Sequence, residues 1–239
     1  MNMLRFSNPV FVALDTPDLP RALALAKAVR PYVGGLKVGL EFITALGPAG
    51  VSAIADFGLP VFADVKFYDI PNTVAGAARE IAKLGVALFN VHASGGEAML
   101  KAAREAAASV NPNVKVIAVT VLTSMGDDDL SSIGQGDSVA LQVARLSRLA
   151  KDCDLDGVVC SPREIEVVRR ACGPNFLIAT PGVRPAGALI GDQRRVTTPF
   201  EAVRAGADIL VIGRPITAAD DPAKAAAAIA EEVAPARAA

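Results

Sequence analysis

Along the chain, short apolar runs alternate with alanine-rich stretches whose apolar residues recur at helical spacing. The runs predict strands at residues 10–15, 35–40, 61–66, 88–92, 115–121, 157–161, 176–180 and 209–213. The amphipathic stretches predict helices at 19–30, 43–57, 73–84, 97–109, 139–153, 162–172, 199–205 and 222–233. Eight strands, each followed by a helix, make a (β/α)8 TIM barrel, and the chain's 239 residues match the usual length of about 250. A doubly wound sheet would not need eight units, and no Gly-x-Gly-x-x-Gly follows the first strand. No stretch rich in Pro, Gly or Ser divides the chain, so residues 1–239 read as a single barrel domain.

Composition narrows the function. With 52% hydrophobic residues the chain can bury a large core, and a formal net charge of −1 excludes a polybasic surface for nucleic acid or membrane. No apolar run approaches the ~20 residues of a membrane span. The start, Met1 to Asn8, has no signal-peptide core before Pro9. The three cysteines, Cys153, Cys160 and Cys172, lack metal-ligand spacing and suit reduced thiols in a cytoplasmic protein. Cys160 lies in an apolar strand and reads as a buried structural thiol.

The third strand carries the sharpest chemistry. Alternation puts Val61, Ala63 and Val65 on one face and Phe62, Asp64 and Lys66 on the other, with Asp69 just beyond. Such a triplet is often a solvated face. Here its flanks are apolar, and unpartnered ions in such surroundings cost several kcal/mol each (~3–5), which points to function. Barrel enzymes place their chemistry at the C-terminal strand ends. Asp15, Lys37, Asp64, Lys66 and His92 fall at or near such ends, as do Thr120, Thr123, Ser161, Thr180 and Gly213-Arg214. Lys37 interrupts an otherwise apolar strand and is expected to face the mouth. Ile-Gly213-Arg214-Pro combines close backbone approach with a guanidinium suited to phosphate, although it is also an ordinary way to end a strand. The segment 181–198 holds Arg184, Gln193, Arg194 and Arg195 among Pro and Gly and reads as a lid over an anionic substrate, with Arg194 and Arg195 facing solvent. The acids Asp127, Asp128 and Asp129 in the long connection 123–137 read as solvated or helix-capping rather than metal ligands. His92, the single histidine, reads as a satisfied structural imidazole.

Asp64-Val-Lys66-Phe-Tyr-Asp69-Ile-Pro-Asn-Thr73 resembles the signature of the orotidine 5′-phosphate decarboxylase family. Val-Ala-Leu-Asp15, Gly-Leu-Lys37-Val-Gly, Thr-Val-Leu-Thr123-Ser, Thr-Pro-Gly-Val-Arg184, Gly-Asp-Gln193-Arg-Arg-Val and Ile-Gly213-Arg214-Pro resemble its other motifs, in order and over nearly the whole chain. The resemblance implies conversion of orotidine 5′-monophosphate to uridine 5′-monophosphate and CO2, without metal or organic cofactor. It also implies a homodimer with active sites shared at the interface. It makes Lys37, Asp64, Lys66 and Asp69 the charged network, with Asp69 given by the neighbouring subunit and Lys66 the proton donor to C6. Asp15 and Lys37 become ribose contacts, Thr73 a ribose or network contact, and Thr123 a neighbour of the base. Arg184, Gln193, Gly213 and Arg214 become the phosphate grip. The rivals are a Mg²⁺-dependent 3-keto-gulonate 6-phosphate decarboxylase of the same superfamily and a catalytically silent nucleotide-binding barrel. The Asp64/Lys66/Asp69 set and the Arg184–Gln193 segment favour the first reading.

Overall fold

A computed structural model describes residues 6–136, 138–185 and 197–238. Its strands are β1 (Val10–Ala13), β2 (Gly35–Val38), β3 (Val61–Phe67), β4 (Leu88–His92), β5 (Lys115–Val119), β6 (Gly157–Val159), β7 (Leu177–Pro181) and β8 (Ile209–Ile212). All neighbours pair in parallel, and β8 returns to β1, with Phe11 in register with both Gly35 and Val211. The expected eightfold parallel barrel is therefore the observed fold.

Strand alternation sorts the apolar side chains into two layers. Phe11, Phe62, Leu88, Ile117, Ala179 and Ile209 fill the barrel's interior. Their strand neighbours, such as Val10, Val12, Ala63, Phe89, Val116 and Ile178, face the surrounding helices in a second, larger core. The interior is packed closely enough that a Cβ on Gly35 would lie 2.3 Å from the Phe11 ring, so β2 needs glycine there.

The helices are α1 (Leu19–Val29), α2 (Leu40–Ala55), α3 (Pro71–Ala82), α4 (Gly96–Val110), α5 (Asp127–Ser132), α6 (Val139–Asp152), α7 (Ile165–Cys172), α8 (Pro199–Ala205), α9 (Arg214–Thr217) and α10 (Pro222–Ala238). Their starts carry local signals. Asp18 accepts from the Arg21 amide, Pro71 opens α3, and Thr198 forms a reciprocal capping box with Glu201. The helices differ in detail from the pattern-based expectation. α2 begins three residues earlier than position 43 and bends where Gly47 adopts φ 61° ahead of Pro48. The connection after β5 contains α5, and Arg214 opens α9 rather than trailing from β8. Short helical turns leave too little periodicity to be read from sequence. Among the described residues no helix is long and apolar enough to cross a membrane.

Candidate active site

At the C-terminal mouth, Asp15 just beyond β1, Lys37 on β2 and Asp64 and Lys66 on β3 form a line of alternating charge. Lys37 Nζ lies 2.6 Å from Asp15 Oδ1 and 3.9 Å from Asp64 Oδ2, and Lys66 Nζ lies 2.5 Å from Asp64 Oδ1. Lys37 is almost wholly enclosed, its side chain 7% exposed, and these carboxylates compensate its ammonium. Gly39 makes the approach sterically feasible: a Cβ there would stand 2.7 Å from Lys37 Nζ and 3.0 Å from Asp15 Oδ1.

Asp64 and Lys66 do face the same space, but not by simple alternation. The β3–β4 ladder pairs Ala63 with Phe89 and then Phe67 with Val91, so Asp64, Val65 and Lys66 stand opposite the single residue Asn90. This bulge puts Lys66 at φ 51°, a left-handed conformation that costs a non-glycine residue about 1–2 kcal/mol. Asn90 is fully buried and takes up the displaced groups. Its Oδ1 accepts from the Lys66 amide at 2.8 Å, and its Nδ2 donates to Asp64 Oδ1 at 2.7 Å. Sequence reading missed Asn90. The available signal was an amide at an inward phase of an apolar strand, two residues before His92.

Lys66 and Asp64 border a cavity of about 180 Å³ whose floor is apolar, with Phe62, Val119, Val159 and Val211 beneath and Thr123 at its edge. Apolar walls exclude water and strengthen the field of the charged line. His92, half-buried at the end of β4, stacks obliquely on Tyr68 with ring centres 5.6 Å apart. Burial, then the nearby Lys66 ammonium, hold its imidazole below the ordinary 6.5, while Asp64 partly opposes them.

Two arginines converge across the mouth. Arg184 follows β7 and is buried, its backbone N–H donating to the Thr197 carbonyl at 3.1 Å and its guanidinium to the Val183 carbonyl at 3.1 Å. Burial first and Arg214 second depress its pKa, so two guanidiniums bear on each other's field. Arg214 is exposed and directly follows Gly213 at the end of β8. Gln193, Arg194 and Arg195 lie outside the described residues.

Other residues singled out from the sequence are placed elsewhere. Asp69 and Thr73 are exposed, on the turn into α3 and its first turn. Asp69 Oδ1 accepts from the Ile70 amide at 2.7 Å, and within this chain it is not among the carboxylates within 4 Å of Lys66. Thr120, Ser161 and Thr180 sit at strand ends and are buried, and the first two bond to the scaffold. Thr120 Oγ1 donates to the Val159 carbonyl, Ser161 caps the turn that opens at Pro162, and Thr180 is fully buried between the inward-facing Ala179 and Pro181. Asp129 accepts from the Gly126 amide and Asp127 from the Val139 amide, so these two acids cap α5 and α6 as expected. All three cysteines are buried thiols, and burial raises the Cys160 thiol's pKa.

Together these features define a class: a (β/α)8 barrel with an alternating lysine–carboxylate line at its C-terminal mouth and arginines after the seventh and eighth strands, where this fold commonly binds phosphate. The chain belongs to the orotidine 5′-phosphate decarboxylase / HUMPS family, whose model matches residues 8–229. It is 56% identical to an orotidine 5′-phosphate decarboxylase of Moorella thermoacetica, over 98% of this chain and 95% of the relative. It is 55% identical to one of Rhodospirillum rubrum, over 95% and 94%. Among solved structures, the orotidine 5′-phosphate decarboxylase of Lactobacillus acidophilus superposes with a TM-score of 0.84 at 36% identity, covering 95% of this chain and all of that one. The one from Pyrococcus horikoshii OT3 gives 0.76 at 27% identity, covering 94% and 98%.

Proposed function

We propose that this protein is a carboxy-lyase that converts orotidine 5′-monophosphate to uridine 5′-monophosphate and CO2, the closing step of de novo pyrimidine nucleotide synthesis. The single observation that carries the reading is the Lys66–Asp64 pair, 2.5 Å apart on a bulged strand at the edge of an apolar cavity. Breaking the C6–carboxylate bond leaves an electron pair on C6 with no adjacent carbonyl or imine to receive it. A fixed ammonium stabilises that developing charge and then protonates C6; the neutral amine regains its proton from solvent. Asp64 keeps the ammonium in place and crowds the substrate carboxylate. At an effective dielectric of ~20, two like charges ~4 Å apart repel by roughly 4 kcal/mol, and this is relieved as CO2 departs. The preorganised lysine ranks above that stress as the driving term.

Asp15 and Lys37 contact the ribose, Thr123 lies beside the base, and Arg184, Gln193, Gly213 and Arg214 hold the phosphate. Binding energy at the phosphate orients the reacting carbon and so contributes to turnover. The protein works as a cytoplasmic homodimer of barrel domains spanning residues 1–239, without nucleic acid, membrane or cofactor. Asp69 and Thr73 reach the site of the neighbouring copy. This part of the reading is supported by Tyr68 and Ile70, which flank Asp69 and are 61% and 67% exposed, a large apolar edge for a single chain to leave in water.

The test is a spectrophotometric assay of orotidine 5′-monophosphate loss with a metal chelator present. Turnover under those conditions is the expected result. No turnover, or turnover of a keto-sugar phosphate that strictly needs Mg²⁺, refutes the assignment.

A further inference from the structure

We propose that Asn90 is the positioning residue of the lysine–carboxylate pair, one carboxamide setting both the backbone that carries Lys66 and the carboxylate that Lys66 faces. The bulge in β3 removes the Lys66 amide from the β4 ladder, and a buried N–H without an acceptor would cost about 1–3 kcal/mol. Asn90 Oδ1 supplies that acceptor at 2.8 Å. The amide's orientation follows, because the same side chain must then turn Nδ2 toward Asp64 Oδ1, which it meets at 2.7 Å. Asp64 Oδ1 thus receives Asn90 and Lys66 together, while Oδ2 faces Lys37. Without Asn90, the Lys66 amide loses its acceptor and the Asp64 carboxylate is held by the two flexible lysines alone. The residue is 0% exposed and does not border the cavity, so it acts through its two partners.

The proposal deepens the decarboxylase reading and rests on it, and the experiment separates the two. Wild-type turnover tests the reaction. For Asn90→Ala, a displacement of the ammonium by about 1 Å predicts a kcat lower by about 100-fold, with KM within about threefold because the phosphate grip is remote. Asn90→Asp keeps the shape and removes the donor. Its ionised carboxylate still accepts from the Lys66 amide but repels Asp64, whereas its protonated form reproduces both hydrogen bonds. The charged and titratable groups facing position 90 are Asp64 and Lys66 on β3 and His92 on β4, while β5 presents Ile117 in register. The kcat of Asn90→Asp relative to wild type should therefore rise as pH falls through the pKa of the introduced carboxyl, which burial and Asp64 raise. The same ratio for Asn90→Ala should stay flat. Hydrogen exchange at the Lys66 amide reads the clamp without any turnover and should quicken at least ~10-fold in Asn90→Ala. Near-wild-type kcat in Asn90→Ala, a ratio for Asn90→Asp that falls as pH is lowered, or unchanged exchange at Lys66 would each overturn the proposal.

Discussion

The left-handed backbone at Lys66 can be tested by removing the same ammonium in two ways, as Lys66→Ala and Lys66→Gly. Both variants leave Asp64 with Lys37 at 3.9 Å and Asn90 at 2.7 Å, so its carboxylate keeps a cation and a donor. Their shared loss of stability should therefore stay below the ~3–5 kcal/mol of an orphaned buried charge. The difference between them isolates the backbone. At φ 51° a Cβ costs about 1–2 kcal/mol, and the greater freedom of unfolded glycine takes back roughly 0.4–1. The net is about 1 kcal/mol in favour of Lys66→Gly, or a Tm higher by about 2–4 °C for a chain of this size. Activity should not follow stability. Losing a general acid costs about 10²- to 10⁴-fold and losing a preorganised charge about 10²- to 10³-fold, so kcat should fall at least ~10⁴-fold in both. Affinity for uridine 5′-monophosphate should hold within about tenfold, because the arginines lie across the mouth. The measurements are thermal melts by circular dichroism, decarboxylation at saturating substrate and nucleotide titration. Lys66→Ala melting at or above Lys66→Gly would show that the bulge is not strained. More than about 1% of wild-type kcat in either variant would remove Lys66 as the acid.

Arg214→Ala should weaken uridine 5′-monophosphate by about 10- to 100-fold, the worth of a charge-assisted contact, and leave uridine nearly untouched; equal losses for both ligands would contradict the phosphate grip. Gly39→Ala should press a methyl against the Lys37–Asp15 pair at 2.7 and 3.0 Å and lower kcat/KM about tenfold or more, and an unaffected enzyme would mean that the pair has room to move. His92 has a folded pKa below its ordinary 6.5, so the unfolded chain binds its proton first as pH falls. Its contribution is complete above about pH 6.5 and is lost as pH falls through the lower folded value, so His92→Gln should flatten the acid-side decline of urea-unfolding stability. Parallel declines in wild type and variant would exclude His92 as a source.

What the chain announces locally is considerable. The apolar runs located the eight strands within a residue or two, because burial on both faces leaves an uninterrupted hydrophobic signature. Prolines stand at the first positions of α3, α8 and α10, where the missing N–H costs no hydrogen bond. The charged site was partly legible for the same reason: Lys37, Asp64 and Lys66 stand out because ions are rare in such strands. Closure of β8 on β1 and the meeting of Asp15, Lys37 and Asp64 were decided by tertiary structure, since pairings between distant segments have no local spacing to read. Direction at the strand ends was settled there too. Thr120 and Thr180 end strands as Asp64 does, yet they turn into the scaffold, because each step along a strand reverses the face. Lys66 keeps the face that alternation predicted only through a bulge, and that bulge holds because Asn90, on the next strand, meets a donor and an acceptor displaced from the ladder. Local chemistry names the ions, whereas their geometry depends on a neighbouring strand that only the closed barrel brings alongside.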